Sequence, residues 1–545
     1  MNLIDSPWIP VRRKGGAQDW ISPLMISDPD IVALDAARAD FNGALAQFLI
    51  ALVQTTTPMD SLSEWEDLLE VPPDATSLTT WFAPVRAAFE FDGDGPRFMQ
   101  DLTLERTDAL KPIAALLLET PGDQALKLNT DHFVKRNTVA ALCLPCSAQA
   151  LLTMQINAPA GGAGHRTSVR GGGPLTTLVV CASAGEATLW KETWLNVRTR
   201  SVFLAQGGDP TKTDSKYSFP WLSDISELQN AGGEFSPMQA HPAHVFWAMP
   251  RRIRLDAEEE VQGSCDLCAR PSDRLVSRIV TKNYGLNYKG VWNHPLSPYY
   301  ETSGDAWLPV HPQPGGYGYK HWLPWVLGTT SDGARKRPAS VVSNFLTHRQ
   351  RGGQFRLLAF GYDMDNMKAR CWYEATLPIY GLAETDEHAQ SIVQAVVAQM
   401  VEGASLVTSW LRDAVKQAWF GLRGEVRGDL SYVEAVLYAT TESGFYSILR
   451  DLIESARSGD EPDGLAAMRR RWSRVLTGAA RRLFDERLVS GAPIERQNPH
   501  RIAEAYRSLC KRLNGDKLNQ VLGLPLSVTR NAPSTGKKAK TRENM

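Results

Sequence analysis

Apolar residues first recur at helical spacing over residues 36–54, where Phe41, Leu45, Phe48, Leu49 and Leu52 share one face and predict a core helix. Ahead of it, Trp8-Ile9-Pro10-Val11 predicts a short strand entering a turn at Arg12-Arg13-Lys14-Gly15-Gly16. From about residue 55 to 375 the apolar runs are short, such as Leu178-Val179-Val180-Cys181 and Phe355-Arg356-Leu357-Leu358-Ala359-Phe360, and Pro, Gly and Trp interrupt them. That pattern predicts a mixed α and β region with long connections. After about Thr385 the spacing becomes consistently helical, predicting four helices at 386–419, 431–455, 465–488 and 499–514. In the first, Ile392, Val396, Met400, Leu406, Val407, Trp410, Leu411 and Ala414 form an apolar stripe, which three similar neighbours would cover in an antiparallel bundle. The predicted fold class is α+β: a large mixed N-terminal domain over 1–380, a four-helix bundle over 385–525, and a basic, disordered tail over 526–545.

A chain of 545 residues, 43% hydrophobic and 22% charged, is long enough for several cores and is neither fibrous nor mostly disordered. No run of 18 uninterrupted apolar residues predicts a membrane span, and the first residues lack a signal peptide's basic flank and apolar run, so a cytoplasmic location is expected. The net charge of −1 hides an asymmetry, because residues 464–545 carry 18 Lys and Arg against 6 Asp and Glu, a surplus of +12, and the preceding residues carry −13. A nearly neutral chain can therefore present a basic face to nucleic acid or an acidic subunit, or simply a solvated arginine-rich helix.

Four of the seven cysteines form two knuckles, Cys143-Leu-Pro-Cys146 and Cys265-Asp-Leu-Cys268. Thiolates at this spacing bend round one ion, and two knuckles supply the four sulfurs of a closed, structural zinc site. The 118 residues between Cys146 and Cys265 mean that such an ion would tie distant loops together; redox dithiols and unrelated cysteines are the other readings.

Downstream of the first knuckle, six glycines fall within 161–173 and alternate with Arg166 and Arg170, so the backbone can approach a ligand while cations hold phosphates; a flexible turn is the plainer reading. The Gly-Lys-Ser/Thr ending of a P-loop is missing, which argues against nucleotide hydrolysis. Downstream of the second knuckle, Thr281-Lys282-Asn283-Tyr284-Gly285-Leu286-Asn287-Tyr288-Lys289-Gly290-Val291-Trp292 alternates cations with aromatics, suiting a nucleic-acid backbone or a core. A third segment, beginning Gly361-Tyr362-Asp363, reads as a turn after a strand, with Asp365, Asn366 and Met367 at an exposed tip. No zincin, nucleophile-elbow or paired-carboxylate signature occurs, so no catalysis is expected.

In order along the chain, Asn2-Leu-Ile-Asp-Ser-Pro-Trp-Ile-Pro-Val, residues 41–54, both knuckles, Arg170-Gly-Gly-Gly-Pro-Leu-Thr-Thr, Gly290-Val-Trp-Asn-His-Pro-Leu-Ser-Pro-Tyr, Phe360-Gly-Tyr and a terminal helical bundle resemble the CasA large subunit of the type I-E CRISPR Cascade complex. The resemblance implies a non-catalytic subunit that helps recognise the protospacer-adjacent motif (PAM) in double-stranded DNA and opens the adjoining duplex for R-loop formation with guide RNA. It also implies assembly with other Cascade subunits and recruitment of a helicase-nuclease for antiviral defence. By position, the family's glycine loop in the minor groove falls on Gly161, Gly162, Ala163 and Gly164, with Ala163 in place of a glycine. The lysine finger falls on Lys282 or Asn283. The wedge falls on Asp365, Asn366 and Met367 beside Lys368, and guide-RNA and backbone-subunit docking falls on Phe133, Val134 and Lys135. Alternative readings are a zinc-stabilised nucleic-acid-binding protein outside CRISPR biology and a metal-dependent hydrolase.

Overall fold

The computed structural model describes residues 1–129, 137–256, 261–329, 335–348, 355–365, 368–380, 387–420, 430–458, 462–488 and 498–526. The chain separates into two compact units, Met1–Asp386 and Glu387–Met545.

The first unit is organised round α1 (Ala39–Thr56), which is buried on nearly every face. Its Phe48 stands edge-on to Trp8 at 4.9 Å and to Trp247 at 5.8 Å, and Phe89, Phe98, Phe219 and Trp221 complete one aromatic cluster. Rings of this size dominate core energetics, and edge-to-face packing suits their quadrupoles. Polar residues that α1 carries inward are matched: Gln54 exchanges two hydrogen bonds with the Arg198 backbone, and buried Asp40 accepts from Arg38 at 2.9 Å and the Tyr362 hydroxyl at 2.6 Å. The helix starts three residues later than predicted, after Arg38 in extended backbone, because Ala36 donates instead to the Asn42 side chain.

Round this core, the described strands make five small three-stranded sheets. One joins β1 (Ile9–Arg13), flanked by β2 (Gln18–Ile21) and β3 (Ile31–Leu34). A second places β10 (Arg278–Lys282) between β4 (Ala109–Pro112) and β7 (Arg252–Asp256). In a third, β9 (Pro271–Val276) lies between β8 (Val261–Ser264) and β5 (Leu142–Cys143), which runs into helix α2 (Leu144–Asn157). The fourth joins β11 (Tyr299–Glu301) to β12 (Trp307–Pro309) and β13 (Lys336–Arg337). The fifth is the long hairpin of β14 (Phe355–Asp365) and β15 (Lys368–Ile379), extended by β6 (Thr176–Cys181).

The hairpin corrects the prediction of a turn at Gly361. The strand runs on to Asp365, with Gly361 opposite Tyr373 and Tyr362 opposite Trp372. Glycine is needed there for close approach rather than for turning: a Cβ would stand 2.7 Å from the Pro174 carbonyl oxygen and 2.9 Å from the Pro312 ring.

In the second unit the described residues form four long helices, α3 (Glu387–Phe420), α4 (Ser431–Ser458), α5 (Pro462–Leu483) and α6 (Pro499–Leu513), close to the predicted boundaries. Side-chain bonds fix their directions. Gly444 faces Val475 while Asp451 pairs with Arg471, so α4 and α5 are antiparallel. Arg501 donates to the Ala418 carbonyl while Arg512 pairs with Asp413, so α6 also runs against α3. Helix α3 is long and apolar enough to cross a membrane by length and composition, yet Val396, Met400, Val407 and Leu411 are buried within the unit, as in the core helix of a bundle.

Candidate functional site

Helix α2 follows β5 directly, with Cys143 as its N-cap and Cys146 in its first turn. The other two cysteines lie on the knuckle between β8 and β9, closed by Cys265 N–H to the Arg270 carbonyl and Ala269 N–H to the Cys265 carbonyl, with Ala269 in the left-handed region at φ +58°. Pairing of Cys143 with Leu275 brings the knuckles together. Asp266 fixes the join, accepting from the Ala140 and Ala141 amides at 2.7 and 2.8 Å.

The four sulfurs lie within 4.8 Å of one another, and those of Cys143 and Cys268 are 3.8 Å apart. A tetrahedral Zn–S distance of about 2.3 Å requires S···S separations of about 3.8 Å, so the cluster has the dimensions of a sulfur-ligated metal centre. Hydrogen bonds from the Cys143 and Cys146 thiols, and then from the Cys268 amide, lower the Cys265 thiol and favour its thiolate. Hydrogen bonds with Cys143 and Cys265, together with burial, push the Cys146 thiol well above its ordinary range, because crowded sulfurs resist ionisation without a cation. The four cysteines can therefore hold a metal ion, and four protein ligands fill the positions of a closed structural site.

Both elements that this centre clips together lead to the glycine loop. The 14 residues of α2 extend about 21 Å from the cysteines and end at Asn157, with three residues between it and Gly161. On the other arm, β9 passes through Ser277 into β10, which ends at Lys282. The arms meet again there: Asn283 Nδ2 donates to the Ala163 carbonyl at 2.8 Å, and Tyr284 N–H donates to the Gly164 carbonyl at 2.9 Å. A Cβ on Gly164 would stand 2.9 Å from that of Asn283. Tyr284 sits at φ +64°, a strained setting for an aromatic residue that this docking holds in place. Gly161, Gly162 and Gly164 have φ of +130°, +73° and +76°, whereas Ala163 stays outside the left-handed region, so its methyl adds no backbone strain. Gly162 and Ala163 are exposed.

Arg251 supports the loop from below, bonding His165 Nδ1 at 2.6 Å and the Pro159 carbonyl. Burial, with Arg251 alongside, lowers the His165 pKa, so the ring serves as a neutral acceptor. Arg166 is a half-buried strut, 5.7 Å over the Tyr284 ring and bonded to the Ala231 carbonyl at 3.0 Å. Arg170 overturns the expectation of a phosphate-holding cation: it is 2% exposed and donates to Gln47, Thr176 and Ser297. Tyr288 and Trp292 take the core alternative, in a cluster with Phe235 and His244, and the Tyr288 hydroxyl accepts from Met249 N–H at 2.8 Å.

Of the two candidate finger residues, Asn283 is committed to the loop. The Lys282 side chain is 54% exposed and its ammonium lies 2.9 Å from Asp108. That ammonium, followed by the Glu105 amide, holds the Asp108 carboxyl below the usual range. Neither Asp108 nor Arg251 carries a motif in the sequence; only the register of β4 and β7 beside β10 brings them to the site.

At the hairpin tip Asp365 pairs in register with Lys368, and its carboxylate approaches Arg370 at 3.9 Å. Arg370 also bonds Asp363 at 2.7 Å, which stiffens the strands just behind the tip. Asn366, Met367, Phe133, Val134 and Lys135 lie outside the described residues, as does the tail from 527.

The family model for CRISPR-associated protein Cse1 matches residues 2–483. Among solved structures, Thermus thermophilus CasA is similar with a TM-score of 0.65 at 15% identity, over 94% of this chain and 99% of that one. Cse1 from Acidimicrobium ferrooxidans gives 0.64 at 17%, over 96% and 98%. A chain of a CRISPR RNA-guided surveillance complex gives 0.65 at 16%, over 94% and 99%. At these identities the structures establish the fold; the family match, spanning most of the sequence, establishes membership, and the chain belongs to the CRISPR-associated protein Cse1 family.

Proposed function

We propose that the chain is the non-catalytic large subunit of a type I-E Cascade complex, and that the unit of glycine loop and β10 end reads the PAM in the minor groove of double-stranded DNA. The family match over residues 2–483 carries this reading, and similarity to a chain of an RNA-guided surveillance complex supports it. The minor groove is about 6 Å wide and its donor-acceptor code is degenerate. A loop of Gly161, Gly162, Ala163 and Gly164 with one slender Lys282 suits such a groove, and a tolerant PAM preference follows. Guide-RNA pairing then reads the remaining sequence. Phe133, Val134 and Lys135 dock on the guide RNA and a neighbouring subunit, and the assembled complex recruits the helicase-nuclease. Zinc is the proposed ion of Cys143, Cys146, Cys265 and Cys268: all-sulfur ligation suits it, and its part is to hold the two arms together. The test is co-expression with the neighbouring operon products and a guide RNA. A stoichiometric ribonucleoprotein containing this chain supports the proposal, whereas a chain that stays apart from every partner and from the RNA refutes it.

The tip residues Asp365, Asn366 and Met367 act after PAM contact, in strand separation. The strands behind them are eleven and twelve residues long and anchored through Tyr362 to Asp40, so Asp365 and Lys368 stand on a firmly held pair of strands. Inserting side chains between base steps costs a few kcal/mol of unstacking, offset by guide-RNA pairing. Replacing all three with Gly is expected to slow R-loop formation on linear duplex, and a bubble already unpaired beside the PAM should restore the rate. Absence of rescue would remove the wedge role from this tip.

A further inference from the structure

We infer that Asp108 is a built-in guard on Lys282, a carboxylate that occupies the lysine until a correctly placed duplex displaces it; this rests on the proposed DNA-binding role of Lys282. Asp108 is fixed independently of the lysine. One of its oxygens accepts from Glu105 N–H at 3.0 Å, and its own N–H donates to the Glu105 carbonyl at 2.9 Å. The tight turn so formed leads into β4, whose Ala109 lies opposite Thr281 of β10, so the sheet register delivers the carboxylate to the neighbouring Lys282. Of the neighbouring cations, Arg251 is bonded to His165 and the Pro159 carbonyl, and Arg252, the cross-strand partner of Lys282, is committed to Asp101 at 2.7 Å and is largely buried. Lys282 is the cation left half in solvent, with Asp108 as its partner.

An ammonium held at 2.9 Å by a fixed carboxylate must leave it before settling on a base edge or a phosphate. A pair whose ammonium is half in solvent is weak, so the exchange is accessible, but it is unfavourable unless other contacts fix the duplex in place. Contacts of the glycine loop supply that on a PAM-bearing duplex. On any other duplex Asp108 keeps the lysine occupied and so unavailable to the phosphates. Asp108 thus raises discrimination by lowering non-specific affinity, a repulsive device of the kind that specificity commonly needs.

The experiment uses the complex assembled with guide RNA and two labelled duplexes, one lacking both PAM and guide match and its PAM-bearing counterpart. Asp108→Asn keeps an oxygen for the Glu105 amide and removes only the charge. It is expected to raise affinity for the PAM-less duplex about two- to fivefold, the scale of one exposed ion pair, and to raise PAM-bearing affinity less. Adding Lys282→Ala should cancel the gain, and Asp108→Glu should retain wild-type discrimination. No gain, a gain that survives Lys282→Ala, or a fall on both duplexes overturns the guard, the last result marking Asp108 as a strut that orients the lysine. Lys282→Ala on its own tests the parent reading separately: unchanged binding to both duplexes would remove the lysine from the groove and the guard with it. Melting temperatures of the free variants should stay close to wild type, because the lysine of the pair is half in solvent and Asn keeps the Glu105 amide bonded.

Discussion

Gly162→Asp is expected to abolish PAM-dependent duplex binding by the assembled complex while guide-RNA association stays intact. Gly162 lies at the exposed crest of the loop at φ +73°, a backbone that costs a side-chain-bearing residue about 1–2 kcal/mol, with Asp and Asn the most tolerant. Two effects therefore separate. The local one is small and confined to a surface turn, so the melting temperature should hardly change. The electrostatic one is large: a carboxylate about 4 Å from a phosphate is opposed by about 4 kcal/mol near a protein surface, where every 1.4 kcal/mol is tenfold in affinity. A loss of roughly a hundredfold or more follows even if the loop yields somewhat. Gly162→Asn supplies the control, with the same backbone tolerance and nearly the same volume but no charge, and should lose much less. Duplex titrations of both variants at two salt concentrations make the measurement. Equal affinity of Gly162→Asp and wild type for PAM-bearing duplex would remove the loop from the binding site.

The parts of this chain that sequence alone reveals are those whose physics is local. The cysteine knuckles declare themselves because metal ligation imposes a short spacing, and the bundle helices because one apolar stripe must repeat every turn. Residues whose meaning depends on a distant partner do not declare it in the sequence. Arg170, among glycines, looks like a phosphate ligand, yet Gln47 and Ser297 enclose it from far along the chain. Gly361 followed by Tyr362-Asp363 looks like a turn until Pro174 and Pro312 are seen to crowd the strand. Tyr288 and Trp292, whose alternation fits a binding loop or a core equally, take the core reading against Phe235 and His244. The Asn283–Ala163 bond explains why one of two adjacent finger candidates is already occupied, and nothing near either residue announces it. Asp108 is the extreme case: only the pairing of β4 with β10 gives it any relation to Lys282.

Removing one sulfur should disturb more than the metal site. Serine is a favourable N-cap, so Cys143→Ser leaves α2 its start and isolates the loss of ligation. The chain has its own aromatic core and will not unfold outright as an isolated zinc finger does. The variant nonetheless forfeits part of the ~10–16 kcal/mol that structural zinc binding contributes in such peptides, and it leaves three crowded, half-ligated thiols behind. The weakened clip is the one between α2 and β9, whose far ends carry the glycine loop and the strand leading to Lys282. Wild-type protein purified without chelator should contain one zinc per chain by elemental analysis. Cys143→Ser should contain little metal and melt at a substantially lower temperature, with early proteolytic cleavage near the two knuckles. Asp266→Ala makes the matching test of the support, because it spares all four sulfurs but frees the Ala140 and Ala141 amides. It should retain zinc with reduced affinity, within the tenfold to hundredfold range typical of outer-sphere partners. PAM-dependent binding should fall in both variants in proportion to metal loss, and added zinc should restore Asp266→Ala but not Cys143→Ser. Metal-free wild-type protein with an unchanged melting temperature would show that the four cysteines pack as thiols and that the two arms are held by the sheet alone.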